Sequence, residues 1–346
     1  MIGIASILIF GQGEIINADV LSVAYVISLF LFCLLTTATM LKYGKFRPML
    51  PKFNDEIRMT FRMVLPLMVS YGIARVSLFV DKIIASLLGE GYVTVLTYSH
   101  SLYKVVAAIC IINLSTIILT DFNDLMARKN YEAVSKKLNS VISAMTILLI
   151  PITIVSTACS RDIVKFIYER KNFSAESTVM VANVLIFYAF NFLPGMIHGV
   201  YSQVMYGNGD TKTPMWISLG CIVVNFGTSL PLIYVVGPPG GAIGTLISSI
   251  FSTVLYRVLI RKYVPGYKGG YTPVFIRNCL IALLPTAGAA FLIRLAGLLA
   301  FAAFVVTTVA SFAVFGGLML ILRDQTMTEA VQLLKKVFFK LTGKPH

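Results

Sequence analysis

The chain has 346 residues, 57% of them hydrophobic and only 13% charged, with a mean hydropathy of +0.84. A water-soluble fold of that composition would have too little polar surface to cover itself, so lipid is the natural solvent. The net charge of +14 does not gather into one basic patch, and a nucleic-acid partner is not expected.

In lipid every backbone polar group needs an internal partner, which leaves helices or closed barrel strands. The apolar runs are much longer than barrel strands, and a helix needs roughly 20 residues to cross about 30 Å of hydrocarbon. The predicted class is an all-α polytopic membrane protein with about ten spans. They fall near 1–16, 19–41, 63–88, 93–120, 139–158, 176–206, 214–236, 239–261, 273–296 and 298–322. The first is short and lacks the charged region and cleavage site of a signal peptide, so it reads as a helix cut by the start of the chain.

The turns at 42–62, 121–138, 207–214, 257–277 and 323–346 carry 6, 4, 1, 5 and 5 Lys and Arg, whereas the opposite side carries Arg161, Lys165, Arg170, Lys171 and Arg294. The positive-inside rule then places both termini in the cytoplasm. Phe53, Ile57 and Phe61 mark an amphipathic lead-in to the third span. A second amphipathic piece, 161–173, puts Ile163, Val164, Phe166 and Ile167 on one face and belongs in the outer interface. Between two later spans, Gly207-Asn208-Gly209-Asp210 supplies a turn, with Thr211 or Thr213 as the cap of the next helix and Pro214 in its first turn.

Five scattered cysteines suggest no disulfide framework, and three dispersed histidines suggest no metal cluster. No turn is large enough for a soluble catalytic domain, so enzymatic chemistry is not expected. Polar groups within spans are the best functional pointers, because each costs several kcal/mol unless it faces a partner or a cavity. The span 63–88 carries Arg75, Asp81 and Lys82, and Asp81 needs a partner on another helix or a place at the outer interface. Asn225, Thr228 and Ser229 form one polar stripe, and Thr245, Ser248, Ser249 and Ser252 another. These serve either close helix packing or, facing Asp81, an oxygen-rich site for a hard cation such as Na⁺. His100, Ser101 and Lys104, with Tyr98 and Tyr103 close by and together with Arg75, offer a cationic, hydrogen-bonding wall for an anionic substrate, unless Lys104 simply snorkels to the interface. Prolines 66, 151, 194 and 231 provide kinks.

Several separated stretches, LPLMVSYGIARVSLFVDKIIASLL, LTYSHSLYKVVAAIC, YERKNFSAEST, YSQVMYGNGDTKTPM and GPPGGAIGTLISS, resemble the MurJ/MviN lipid II flippase family. That family belongs to the class of multidrug, oligosaccharidyl-lipid and polysaccharide exporters. Its members have fourteen helices in two six-helix lobes around a cavity, plus two more flanking a hydrophobic groove. The resemblance implies that residues 1–41 match the end of the amino-terminal lobe, 42–262 a MATE-like carboxy-terminal lobe, and 263–346 the extra pair and a basic tail. It implies that four amino-terminal helices, or a partner chain, lie outside this sequence. It further implies a possible Na⁺ site at Asp81, Asn225 and Thr245, with Ser229 where the family has a second acid. Ser101 stands where an Arg faces the cavity, with His100 or Lys104 compensating. The function so implied is movement of an undecaprenyl-diphosphate-linked peptidoglycan precursor across the bacterial cytoplasmic membrane by alternating access. No cofactor is expected, and Na⁺ as coupling ion or the membrane potential would bias the return. A flippase for another lipid-linked polysaccharide, a MATE-like cation or drug exporter, and a non-transporting remnant are the alternatives.

Overall fold

The computed structural model describes residues 18–43, 55–89, 91–108, 122, 125–126, 128–170, 173–267, 269, 271–295 and 300–322. Among them every regular element is helical: α1 (Ala18–Tyr43), α2 (Asp55–Leu88), α3 (Tyr92–Ala107), α4 (Tyr131–Ala158), α5 (Ser160–Tyr168), α6 (Ala175–Phe190), α7 (Phe192–Gly207), α8 (Lys212–Val236), α9 (Pro239–Tyr263), α10 (Pro273–Leu295) and α11 (Ala300–Ile321). Five described helices are long and apolar enough to cross a membrane, or six when α6 and α7 count as one bent span. The chain is a multi-pass membrane protein. The expected first span, the end of the fourth and the basic tail lie outside the described residues.

Residues 1–58 and 59–346 form two compact units. In the first, α1 exposes most of its apolar side chains, Phe30 and Phe32 among them. The second holds the packed core. There α8 lies along α9, α9 packs on α6 and α7, α3 on α6, and the α10–α11 pair on α4.

Local sequence explains where the helices begin and break. Asn130 accepts a hydrogen bond from the Ala133 backbone N–H at 3.1 Å, so α4 starts eight residues before the expected span. The described part of the amphipathic lead-in, from Asp55 on, runs straight into the next span, giving one helix of 34 residues, while Phe53 lies outside the described residues. The expected span 176–206 is instead two helices meeting at 41° around Asn191, because Pro194 has no N–H to continue the ladder. Hydroxyls from neighbouring helices reach this bend: Thr253 donates to the Pro194 carbonyl at 2.9 Å and Thr153 to the Ala189 carbonyl at 3.5 Å. On α5, Val164 is fully buried against the core, whereas Phe166 and Ile167 are exposed, so the expected single apolar face is split.

The tightest contact joins α8 to α9. Gly237 turns the chain with φ of 76°, and the prolines at 238 and 239 start α9. A Cβ on Gly240 would lie 2.3 Å from the Leu232 carbonyl carbon, and one on Gly244 would lie 2.0 Å from the Ser229 Oγ and 2.9 Å from its Cα. Small residues at this spacing let two backbones touch, which is how helices associate in lipid.

Gly244→Val is therefore expected to destabilise the protein by about 1–3 kcal/mol through overpacking. Gly72→Ala, where nothing lies within 4 Å of the added Cβ, should be nearly neutral. Thermal unfolding of both variants in the same detergent checks the contrast.

Candidate functional site

Asp81 sits on α2 with only 5% of its surface exposed, and the Ser229 hydroxyl of α8 donates a hydrogen bond to its carboxylate. One turn earlier on α8, the Asn225 amide donates to the Thr245 hydroxyl of α9 at 3.4 Å, and Thr245 donates to the Gly241 carbonyl at 3.0 Å. Three helices thus bring the four sequence-predicted oxygen groups together. Asp81 thus has a hydroxyl partner on another helix.

Asp81, Asn225 and Thr245 line a polar cavity of about 390 Å³. Its wall continues along α9 with Ser248, Ser249, Ser252 and Tyr256, along α8 with Ser218 and Cys221, and along α7 with His198, Ser202 and Tyr206. Asn191, at the α6–α7 bend, donates its amide N–H to the Tyr103 hydroxyl at 3.2 Å, and its buried Oδ1 has no hydrogen-bond partner among the described residues. His198 stacks on Tyr256, with ring centroids 6.2 Å apart and planes 12° apart. Asn191 and His198 were not singled out from sequence, whereas Tyr103 was expected beside His100 and lines this cavity instead. A polar residue three positions before Pro194, inside an apolar run, was the available signal.

The other predicted set is placed differently. Ser101 and Lys104 are exposed on α3, and the Ser101 hydroxyl turns back to the Thr97 carbonyl at 2.8 Å. His100 is half-buried, stacked on Tyr103 at 5.9 Å and tilted against Tyr188 at 5.5 Å. None of these three lines the polar cavity; Tyr103 is the residue of α3 that does. Arg75 belongs to α2, and its side chain lies outside the described ones.

A second cavity, of about 880 Å³, is almost wholly apolar. It is walled by Ile150 and Ile154 of α4, Phe190 of α6, Leu193 and Ile197 of α7, Leu246 and Ile250 of α9, and Leu283 and Phe291 of α10.

The profile of the family described as Lipid II flippase MurJ matches residues 1–322. The chain belongs to the lipid II flippase MurJ family. A probable lipid II flippase MurJ of Rickettsia prowazekii is 28% identical over 183 residues, covering 53% of this chain and 36% of that protein. One from Helicobacter pylori is 24% identical over 197 residues, covering 57% and 43%. The chain thus matches well under half the length of these curated MurJ relatives. A solved structure titled "Lipid II flippase MurJ, inward closed conformation" aligns with a TM-score of 0.72 at 19% identity, covering 92% of this chain and 65% of that one, which establishes a shared fold.

The turn before α8, part of the motif that carried the MurJ resemblance, is locked by a carboxylate. Asp210 accepts backbone N–H bonds from Lys212 at 2.9 Å and Thr213 at 3.0 Å, and hydroxyl bonds from Thr213 at 2.6 Å and from Tyr263 at the end of α9. The cap expected of Thr211 or Thr213 is therefore supplied by Asp210, whose Oδ1 accepts from both backbone donors while its Oδ2 takes the two hydroxyls. Burial pushes the Asp210 carboxyl up, but the four hydrogen bonds outweigh it and hold the group below its ordinary 3.8.

A folded-state value below the unfolded one makes this latch fully stabilising above the ordinary 3.8 and lost as pH falls through the lower folded value. Asp210→Asn should lower the melting temperature at neutral pH and flatten its fall on acidification. Melting curves from neutral pH into the acid range check both effects.

Proposed function

We propose that this chain takes part in moving a lipid-linked peptidoglycan precursor, lipid II, from the inner to the outer leaflet of the bacterial cytoplasmic membrane, with both termini cytoplasmic. Membership of the MurJ family over residues 1–322 is the observation that carries this reading. The paired cavities support it. The polar one suits hydrogen-bonding groups and water, and the apolar one, walled partly by α10, suits an isoprenoid tail. The Asn191–Pro194 bend and Pro231 within α8 supply the joints that rocking between inward-open and outward-open states requires. No covalent step is needed. Depletion of the protein should leave lipid II on the inner leaflet, inaccessible to an external probe; unaltered translocation would sink the reading.

The second part of the proposal concerns Na⁺. Asp81, Asn225, Ser229 and Thr245 offer one carboxylate and neutral oxygens in a buried network. Among the described residues no three His, Cys, Asp or Glu side chains cluster. This donor set fits a hard monovalent cation better than a transition metal. Asn225 would turn its amide to present Oδ1 beside the Thr245 hydroxyl. Bound Na⁺ would neutralise the Asp81 carboxylate and tie α2 to α8 and α9. Na⁺, against K⁺ at equal ionic strength, should raise the melting temperature of the native chain, and Asp81→Asn should abolish that rise. A rise that survives in Asp81→Asn removes the site.

A further inference from the structure

A third cavity, of about 600 Å³, opens where the start of α3 meets the end of α5 and the loop leading into α6. It is separate from both cavities above and shares no lining residue with them. Its wall is aromatic. The Tyr98 and Tyr168 rings lie 4.7 Å apart at 32°, and Phe173 meets them at 5.7 and 5.9 Å, edge-on to Tyr98. All three rings are only half-buried, so the cluster keeps ring surface open to the cavity. Among the described residues, Arg170 and Glu176, both exposed, bring one cation and one carboxylate to the same lining, and Thr94 and Ser177 add hydroxyls.

Hydrogen bonds within the chain hold the wall in place. The Glu169 carboxylate accepts from the Thr178 hydroxyl at 2.8 Å, the Ser174 hydroxyl accepts from the Ser177 N–H at 3.1 Å, and the Phe173 N–H donates to the Arg170 carbonyl at 3.1 Å. A Cβ on Gly91 would meet nothing within 4 Å, so the backbone edge of the cavity is open too.

Opposite charges on one lining favour neither a net cation nor a net anion. The polar groups also make the cavity a poor place for a hydrocarbon tail, in contrast to the 880 Å³ apolar cavity. A rigid aromatic wall with a planar guanidinium, a carboxylate and hydroxyls complements a neutral ring that has apolar C–H faces and a rim of hydroxyl or amide groups. The volume lies within the roughly 300–1,000 Å³ of small-molecule sites.

We propose that this cavity is a saccharide site that stacks a neutral pyranose ring on Tyr168 and Phe173 and holds its rim through Arg170 and Glu176. The site stands on the cavity alone and is independent of the transport reading. The positive-inside topology puts it on the outer side of the membrane, because its elements flank the outward turns near 90 and 170.

The test uses the full chain in phosphatidylcholine nanodiscs free of glycoside detergent, with N,N′-diacetylchitobiose as probe and saturation-transfer NMR as readout. Binding is expected, with Tyr168→Leu and Arg170→Ala each weakening it about tenfold or more and Tyr168→Phe retaining it, since the ring face carries the contact. Arg170 is exposed, so its variant reports on binding even where Tyr168→Leu impairs folding. No binding to the native chain at about 10 mM probe, or binding unchanged in Arg170→Ala, overturns the proposal. A second arm presents the same disaccharide on an alkyl chain in the disc. Tighter binding there assigns the ring to a lipid-linked sugar and equal binding to a free one, and either result supports the site.

Discussion

The close approach of α8 and α9 over Gly240 and Gly244 is the contact on which the polar interior depends. Between helices in lipid there is no hydrophobic driving force, so association rests on van der Waals contact and interhelical hydrogen bonds. Removing two side chains from the α9 surface brings its backbone against Leu232 and Ser229 of α8. That contact sets Asn225 opposite Thr245 and leaves Ser229, fully buried, with its hydroxyl turned to Asp81. A buried carboxylate in an apolar slab is costly, and here the helix crossing supplies its hydrogen-bond donor.

The two principal cavities are opposite faces of the same helices. On α7, Leu193 and Ile197 point to the apolar space, whereas His198, Ser202 and Tyr206, at four-residue intervals, point to the polar one. On α9, Leu246, Ile250 and Val254 line one, and Thr245, Ser249, Ser252 and Tyr256 the other. Helical periodicity makes this division possible, since residues three and four apart share a face. A change in tilt of α7 or α9 would alter both cavities together. At the bend around Asn191 the Thr253 and Thr153 hydroxyls hold the neighbouring carbonyls.

At the opposite end of these helices, Asp210 joins the start of α8 to the end of α9 through Tyr263. The α8–α9 pair is thus fixed at one end by the Gly237 turn and glycine contacts, and at the other by a carboxylate latch. Polar residues between the two ends are presented on a rigid pair rather than on loops, a good arrangement for a site whose geometry must hold while other helices move.

The sequence by itself determined the solvent, the helical class, the likeness to the MurJ family and the bounds of the later helices. The expected spans at 214–236, 239–261, 273–296 and 298–322 lie within about two residues of α8 to α11, because Pro and Gly punctuate long apolar runs unambiguously. It also named the oxygen groups around Asp81, since polar side chains stand out against an apolar background. Only the tertiary structure decided which of them meet. Asp81 and Ser229 are 148 positions apart, and no local period relates them. The break of 176–206 into two helices was equally hidden, because a proline in an apolar run is compatible with either a gentle kink or an end. The cavity at Tyr98, Tyr168 and Phe173 was invisible for the same reason: its wall comes from two helices and a loop that only packing brings together. Periodicity reports which face of a helix is apolar, while the identity of the neighbour on that face is a property of the fold.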